Sequence, residues 1–467
     1  MRRSSAVFIL AVLLAISGLL KMAPALATSE QRSFMQMLNL GEVRMAIPYG
    51  QISYVNAKNQ IYGIAPDLAK SAGDYLSTKY KKKIQIKIIP SPPGKLLELL
   101  DRGDADFAID YFQEHNLQKN LSKFLVYEHP RSEKFVVVSR NTQNPINKIS
   151  DLSGQTLCVG HTTRISYLNK TNEELQKSGK TPIHLYQDHL VLNDEDLLQM
   201  VNDGLLDFVW VADWKARLWN PLLPNITIHT DTTAEGGSTA DVIVIKSNAD
   251  LAKDILEFTA SPYLDKVLEN YRQKTFIHEK NALKNPLSKN ELNRFESMKT
   301  YFHRYGRENQ LDPLFLAGLG FQESLLNQNA VSPVGAIGVM QLMLETGKSM
   351  NTGNIYELEP NIHAGAKYIN SLLQAMSLET ALPEAERGFF AVAAYNSGAN
   401  NVRKARELAV KIGLDPNQWF FNVEMASARL LGLETFLYVR NVYKYYVTYD
   451  VWIRKTALDQ EKFNPKR

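Results

Sequence analysis

The sequence predicts a two-lobed α/β domain, followed by a mainly α domain. Two patterns carry the architectural part of this prediction. From residue 41 to about residue 270, short apolar runs of strand length alternate with segments whose apolar residues recur at helical spacing. Such alternation is typical of βαβ units and predicts a parallel sheet. From residue 292 to 449 the helical spacing continues and the strand-like runs disappear.

The α/β half contains two rounds of this alternation. The first predicts a helix over 64–80 and a second helix over 96–100, and the second round begins at residue 134 and includes a helix over 195–203. A chain that crosses between two lobes near residues 134 and 240 is suited to a hinged binder. The predicted strands cover residues 43–47, 84–89, 105–109, 134–140, 156–160, 208–211 and 242–245.

The N-terminus indicates where the protein works. Arg2 and Arg3 precede an apolar stretch from residue 6 to 20, and Ala25-Leu26-Ala27 then provides a small-x-small cleavage site. This is the pattern of a secretory signal peptide, and the apolar stretch is short for a membrane span. We therefore expect residues 1–27 to be removed on export, the alternative being an uncleaved anchor.

Charge and cysteine content exclude several classes of protein. The 53 Lys and Arg residues against 49 Asp and Glu leave a net charge of +4 over 467 residues, too small a bias to indicate nucleic-acid binding. The single cysteine, Cys158, excludes an intrachain disulfide, a cysteine zinc cluster and a lipid anchor at the signal sequence. We interpret Cys158, within an apolar run, as a small buried hydrophobe rather than a nucleophile. The scattered histidines predict no metal site, and we expect no cofactor.

Composition also suggests where the domains end. Residues 272–290 are polar and lysine-containing, as linkers often are, and the residues after Trp452 are highly charged. We therefore predict an α/β domain over 28–270, a linker over 271–290, a helical domain over 291–453 and a charged tail over 454–467.

One carboxylate stands out in the helical half. Asp312-Pro313 is a strong helix start, with Asp as the capping residue and Pro in the first position. Along this helix Glu323 falls on the same face as the apolar Leu316 and Leu319. A carboxyl group on an apolar stripe has a raised pKa and suits general acid catalysis, while an exposed glutamate near the helix end is the alternative.

Four short motifs, in a fixed order, favour the catalytic interpretation. They are Glu323-Ser324, Gly335 to Gln341, Ala394 to Gly398, and Glu434-Thr435 with Tyr438-Val439. Together they resemble the motifs of the family 1 lytic transglycosylases, which have a goose-type lysozyme-like fold, over residues 290–450. This chain departs from the family by Val339 in the usual Gly-Leu-Met-Gln and by Phe436 where an Arg commonly follows Glu-Thr.

The resemblance implies an enzyme that cleaves the β-1,4 bond between N-acetylmuramic acid and N-acetylglucosamine without water. Glu323 would protonate the glycosidic oxygen and then take a proton from the muramoyl C6 hydroxyl, which closes a 1,6-anhydro ring. One carboxyl group can serve both steps because the internal hydroxyl replaces water, whereas ordinary glycosidases need two. The resemblance also implies glycan contacts, with Ser324 near Glu323 and with Met340, Gln341, Tyr395, Asn396 and Glu434 in the cleft.

Four segments of the α/β half, residues 63–69, 105–110, 160–163 and 206–213, are similar to segments of the family 3 periplasmic solute-binding proteins. The last segment ends at Asp213, where the family has the acid that meets a ligand amino group. An exposed loop aspartate is the alternative for Asp213. The stretch from Tyr111 to Lys123 lacks the arginine that would clamp an amino-acid carboxylate. We therefore expect a muropeptide or peptide ligand, with Thr162 and Thr163 as polar contacts.

The pairing of these two modules resembles the modular membrane-bound lytic murein transglycosylases, whose binding module is thought to regulate the enzyme. That resemblance implies a periplasmic protein attached peripherally to the outer membrane. The main alternative is a non-catalytic cell-wall receptor or scaffold that binds glycan and muropeptides. The intact Glu323-Ser324 motif argues against it.

Overall fold

A computed structural model describes residues 31–463, except for 52, 113–121, 128–133, 142–145, 161–164, 188–191, 236–239, 264–265, 268–269, 271–282 and 380–381. The predicted signal peptide and the predicted ligand residues Thr162 and Thr163 lie outside the described residues. So does most of the predicted linker.

Twelve strands of the described residues lie in the first 245 residues. They are β1 (Glu42–Pro48), β2 (Val55–Ala57), β3 (Gln60–Tyr62), β4 (Gln85–Ser91), β5 (Phe107–Phe112), β6 (Phe124–Tyr127), β7 (Lys134–Arg140), β8 (Thr156–Val159), β9 (His184–Gln187), β10 (Phe208–Ala212), β11 (Ile226–Glu235) and β12 (Ala240–Ile245).

The strands form two five-stranded sheets, one in each lobe, and β2 and β3 form a separate hairpin. The first sheet has the order β4-β1-β5-β12-β6 and the second has the order β11-β7-β10-β8-β9. The chain passes to the second sheet between Tyr127 and Lys134 and returns before Ala240, so the predicted crossings near residues 134 and 240 are confirmed.

The prediction of a parallel sheet was wrong in part. The pairs β1–β4, β1–β5, β8–β9 and β8–β10 are parallel, but β12 runs antiparallel to β5 and β6, and β7 runs antiparallel to β10 and β11. The reversal arises because β7 follows β6, and β12 follows β11, after too few residues to contain the crossover helix that makes neighbouring strands parallel.

Helices cover the sheets and build the C-terminal part. The helices of the lobes are α1 (Phe34–Leu40), α2 (Ala65–Tyr80), α3 (Leu96–Asp101), α4 (Ser166–Lys177), α5 (Asp194–Asn202), α6 (Asp213–Trp219) and α7 (Ala249–Thr259). Those of the C-terminal part are α8 (Lys289–Glu308), α9 (Pro313–Ser324), α10 (Leu344–Ser349), α11 (Leu358–Glu379), α12 (Glu384–Ser397), α13 (Ala399–Lys411), α14 (Glu424–Leu431) and α15 (Leu433–Phe463). The last helix thus continues through most of the segment predicted as a charged tail.

The apolar core of the second lobe is continuous with that of the helical part. One buried cluster contains Val136 and Leu198 of the second lobe together with Phe302 and Phe436 of the helical part. The first lobe has a core of its own, on which α2 and α7 pack. Cys158 is 3% exposed and belongs to the shared cluster, which confirms its interpretation as a small buried hydrophobe.

Both lobes touch the helical part. The hairpin of β2 and β3 lies against α14, where the Lys58 N–H donates to the Ala428 carbonyl at 3.3 Å. From the second lobe, Asp196 of α5 forms buried ion pairs with Arg440 and Lys444 of α15, at 3.1 and 2.9 Å. Helix α15 therefore contacts the two-lobed domain along one of its faces.

Candidate active site

Glu323 lies in the last turn of α9. Asp312 caps the first turn by accepting a hydrogen bond from the Leu314 N–H at 2.8 Å, and the helix ends at Leu325 in the left-handed conformation (φ 56°). Glu323 Oε1 accepts a hydrogen bond from the Tyr438 hydroxyl of α15. Among the described residues, Glu323 has no ion-pair partner.

This environment changes the acidity of Glu323. Burial raises the pKa of the carboxyl group from its ordinary value to about 7, against a smaller lowering effect of the Tyr438 hydrogen bond. A desolvated carboxyl group without a cationic neighbour holds its proton more tightly because its charged form is disfavoured. Near neutral pH Glu323 therefore exists in both the acid and the base form, as a group that donates and then accepts a proton requires.

Two tyrosines, the buried Tyr438 and the half-buried Tyr395, lie near this carboxyl group. The pKa of Tyr438 and the pKa of Tyr395 lie well above the ordinary value because both hydroxyls are desolvated and both face the charge of Glu323. Both hydroxyls therefore stay protonated and act as donors. The Tyr395 hydroxyl donates to the Met340 carbonyl at 2.6 Å.

Tyr438 is the residue that sequence reasoning missed. Its motif was noted, but no role was predicted for its side chain. The available signal was its spacing: on a helix, Tyr438 falls one turn after Glu434 and so on the same face.

Ser324 holds the neighbouring loop. Its hydroxyl donates to the Val339 carbonyl at 2.8 Å and accepts from the Asn327 N–H at 3.1 Å. Ser324, the last residue of α9, thus ties the end of this helix to the Gly-Val-Met-Gln loop, directly after Glu323 in the chain.

The loop of residues 337–341 forms one side of the site. Gly338 has φ 78°, and a side chain there would overlap the amide of Asn361. Met340 is wholly buried and packs beside Gly320 and Gly365, so its side chain supports the loop from beneath. Gln341, with φ 45°, donates from its amide to the Gly338 carbonyl at 2.9 Å and thereby closes the turn.

The last two predicted residues lie where α12 ends and α15 begins. Asn396 accepts a hydrogen bond from the Thr435 hydroxyl at 2.9 Å. Glu434 is exposed in the first turn of α15, and no carboxylate among the described residues contributes to the pKa of Glu323. The site is therefore built around a single acid.

Of the predicted ligand residues in the α/β half, only Asp213 is described. It begins α6 directly after β10, and its Oδ2 accepts from the Arg217 guanidinium at 2.9 Å. Its Oδ1 is buried without a hydrogen-bond partner in the described part of the chain.

Two searches over the described residues were negative. No group of three or more His, Cys, Asp or Glu side chains is arranged to hold a metal ion. No described helix combines the length and the apolar character needed to cross a bilayer.

Comparison with protein families identifies the helical part. Residues 300–412 match the Transglycosylase SLT domain. The matched range contains Glu323, the 337–341 loop, Tyr395 and Asn396, and it ends before Tyr438.

Similarity to curated proteins extends over most of the chain. A protein of Aeromonas hydrophila named membrane-bound lytic murein transglycosylase F is 26% identical over 88% of this chain and 82% of its own length. Proteins with the same name from Histophilus somni and Pectobacterium atrosepticum are 27% and 25% identical, over 84% and 93% of this chain and 81% and 90% of their own lengths.

Solved structures similar to this chain match about half of it. An ancestral arginine-binding protein bound to arginine is 16% identical, with a TM-score of 0.34, and the match covers 50% of this chain and 98% of that one. The periplasmic VFT2 domain of BvgS from Bordetella pertussis is 13% identical, with a TM-score of 0.36, over 51% of this chain and 96% of that one.

Proposed function

We propose that this protein is a peptidoglycan lytic transglycosylase that cleaves the β-1,4 bond between N-acetylmuramic acid and N-acetylglucosamine and leaves 1,6-anhydromuramoyl ends. That the chain is an enzyme acting on peptidoglycan follows from the transglycosylase domain and from its relatives. The observation that supports this particular reaction is the half-buried carboxyl group of Glu323, which has no second carboxylate beside it among the described residues and whose pKa of about 7 suits both proton donation and proton acceptance.

The reaction uses Glu323 twice. In the first step its protonated form gives the proton to the glycosidic oxygen, and the bond between that oxygen and the muramoyl C1 breaks. In the second step the carboxylate takes the proton of the C6 hydroxyl while the C6 oxygen bonds to C1 and closes the anhydro ring. Glu323 is protonated again at the end, and no water is consumed.

The surrounding hydrogen bonds suit this cycle. Tyr438 donates to Glu323 and stabilises the carboxylate between the two steps. The absence of a cation beside Glu323 among the described residues keeps the acid form accessible, and the absence of a neighbouring carboxylate fits a reaction without an activated water.

The substrate is a glycan strand of peptidoglycan. We propose that Ser324, Met340, Gln341, Tyr395, Asn396 and Glu434 form its binding cleft. Ser324 and Met340 act through the loop that they hold, whereas Gln341, Asn396 and the exposed Glu434 stand nearer to solvent.

For the N-terminal domain, residues 28–270, we propose regulation of the enzyme by a muropeptide or peptide bound at Thr162, Thr163 and Asp213. The unpartnered buried Oδ1 of Asp213 supports a ligand contact. The contacts of both lobes with α14 and α15 supply a physical connection to the helical domain, residues 291–453.

The proposed location is the periplasm, with peripheral attachment to the outer membrane after cleavage of the signal peptide over residues 1–27. The name "membrane-bound" of the relatives supports an association with a membrane. Nucleic acid is not among the expected partners, because the net charge is only +4.

The decisive experiment is a mass spectrum of the products released from purified sacculi by the full-length protein. Anhydro ends lack one water relative to hydrolysed ends, so the spectrum separates a transglycosylase from a hydrolase. We expect anhydro products from the wild-type protein and a loss of at least about 10³-fold in Glu323→Gln, which cannot donate the proton.

Glu407→Gln is the matched control, since Glu407 is exposed on α13 of the same domain and should leave the rate unchanged. Hydrolysed ends, or an unchanged rate in Glu323→Gln, would exclude the proposal. Binding of glycan without any product would instead support the receptor or scaffold alternative.

A further inference from the structure

Asn361 is a wholly buried polar residue on α11 whose role the proposed reaction does not yet include. Its exposed fraction is 0%. Its amide nitrogen donates to the carbonyls of Ile337 and Ile355, both at 3.0 Å, and its amide oxygen accepts from the Met340 N–H at 2.9 Å. Both amide hydrogens and the amide oxygen of Asn361 thus form hydrogen bonds with backbone groups.

Two of these three bonds hold the loop beside Glu323. The Met340 N–H is bound by Asn361, and the Met340 carbonyl accepts from Tyr395 at 2.6 Å. The peptide groups around Met340 are therefore fixed from two helices, α11 and α12. The preceding carbonyl, that of Val339, is bound by Ser324, which follows Glu323 in the chain.

Glycine at position 338 shows how closely Asn361 fits the loop. A Cβ at this position would overlap the Asn361 amide, and the backbone there has φ 78°. The loop and the amide thus occupy complementary space, and a larger group on either side must displace the other.

Only asparagine meets all the demands of this position. Aspartate offers no hydrogens to the two carbonyls, and glutamine adds a methylene where there is no room. Alanine removes all three bonds: the carbonyls of Ile337 and Ile355 keep the Leu342 N–H and the Gln328 side chain as donors, whereas the Met340 N–H loses its acceptor. A buried side chain bonded to three backbone groups, two of them in the 337–340 loop, is suited to fixing loop geometry, because its loss would leave the Met340 N–H desolvated without that partner.

We propose that Asn361 is a positioning residue for the reaction: it holds the 337–340 loop so that the Met340 carbonyl fixes the Tyr395 hydroxyl beside Glu323. This inference rests on the proposed transglycosylase function. Displacement of the loop would release the Tyr395 hydroxyl and admit water to Glu323. Since burial is the main cause of the raised pKa of Glu323, the carboxyl group would then ionise at lower pH.

The test compares Asn361→Ala with Asn422→Ala in the full-length protein. Asn422 is a close match, because it is 4% exposed and also makes three hydrogen bonds, to the Asp415 N–H, the Phe420 carbonyl and the Gln418 side chain. None of these bonds involves the 337–340 loop.

Rates of anhydro-product release are measured between pH 5 and pH 9 on soluble glycan strands, well below the melting temperature of each variant. For Asn361→Ala we expect a fall of about 10- to 100-fold in kcat, a change in KM below about threefold, and an alkaline limb displaced to lower pH. Asn422→Ala should keep kcat within about threefold and keep the wild-type pH profile.

A wild-type pH profile and kcat in Asn361→Ala, or equal effects in both variants, would overturn the inference. If Asn361→Ala does not fold, Gly338→Ala takes its place, because the added methyl group displaces the loop from the same amide and should give the same shift. A wild-type protein that releases no anhydro product would overturn the proposed function and this inference together, whereas an active wild type with an unaffected Asn361→Ala would overturn only the latter.

Discussion

Two carboxyl groups of this protein, the half-buried Glu323 and the buried Asp196, face the same long helix and have opposite properties. Glu323 of the helical part meets Tyr438 of α15, and Asp196 of the second lobe meets Arg440 and Lys444 of α15. Burial alone would raise the pKa of both. For Asp196 the attraction of Lys444 and Arg440 outweighs burial, so that its pKa lies below the ordinary value.

The identity of the partner therefore decides the role of each carboxyl group. A neutral phenol donates one hydrogen bond and leaves Glu323 able to carry a proton near pH 7. Two cations hold Asp196 permanently ionised, which makes it a structural anchor and useless as an acid.

Helix α15 contacts both carboxyl groups because their partners lie on different faces of it. Tyr438 lies on the face toward Glu323, and Arg440 and Lys444 lie one turn apart on the face toward the second lobe. Arg440 also binds Glu424 of α14 at 2.5 and 2.9 Å. A displacement of the second lobe would consequently act on the helix that carries Tyr438.

The largest effect on stability is expected from Asp196→Ala. Removal of this carboxylate leaves Arg440 and Lys444 buried with too little negative charge, and breaking a buried pair on one side costs about 3–5 kcal/mol. The free energy of unfolding, measured with urea, should fall by this amount. Asp207→Ala, on an exposed residue of the same lobe, is the control. An equal loss of unfolding free energy in both variants would mean that the buried ion pairs stabilise the protein no more than the exposed one.

A smaller effect, on activity and its pH dependence, is expected from Tyr438→Phe. The loss of one hydrogen bond to the carboxylate should lower kcat/KM about tenfold. That bond lowers the pKa of Glu323 from the value that burial alone would give. Its removal should therefore keep Glu323 protonated to higher pH and move the alkaline limb of the kcat/KM profile upward from about pH 7.

The control for this variant is Tyr263→Phe, on an exposed tyrosine of the first lobe, which should leave the profile in place. A limb that stays in place in Tyr438→Phe would mean that the hydrogen bond does not set the acidity of Glu323.

The smallest effect is expected from Lys455→Ala. Lys455 of α15 pairs with Asp207 of the second lobe at 2.7 Å, but the Lys455 side chain is 41% exposed and the Asp207 side chain 64% exposed. Exposed pairs of this kind contribute about 0–1 kcal/mol. Urea unfolding should show a loss of less than about 0.5 kcal/mol, and a loss near that of Asp196→Ala would contradict the dependence on burial.

Local sequence patterns predicted the elements well. The helices over 65–80, 96–101 and 313–324 and the strands over 42–48 and 134–140 follow from apolar spacing, capping residues and short apolar runs. The two-lobed α/β architecture followed by a helical domain was predicted from the same patterns and is confirmed. The mixed direction of the strands was not, because direction depends on which strands from distant parts of the chain become neighbours.

The site could be predicted only in part. Glu323 was predicted from its place on an apolar helix face and from the presence of the other motifs in the helical half. The proposed roles of Tyr438 and Asn361 were missed. The sequence does not distinguish a helical tyrosine or asparagine that only packs from one that binds Glu323 or holds the neighbouring loop.

The sequence by itself determined which segments become strands and helices and which glutamate is exceptional on its helix. Only the tertiary structure decided that the pKa of Glu323 is raised and that the pKa of Asp196 is lowered. The reason is that acidity depends on neighbours in space: Tyr438 is 115 residues from Glu323, and Arg440 is 244 residues from Asp196.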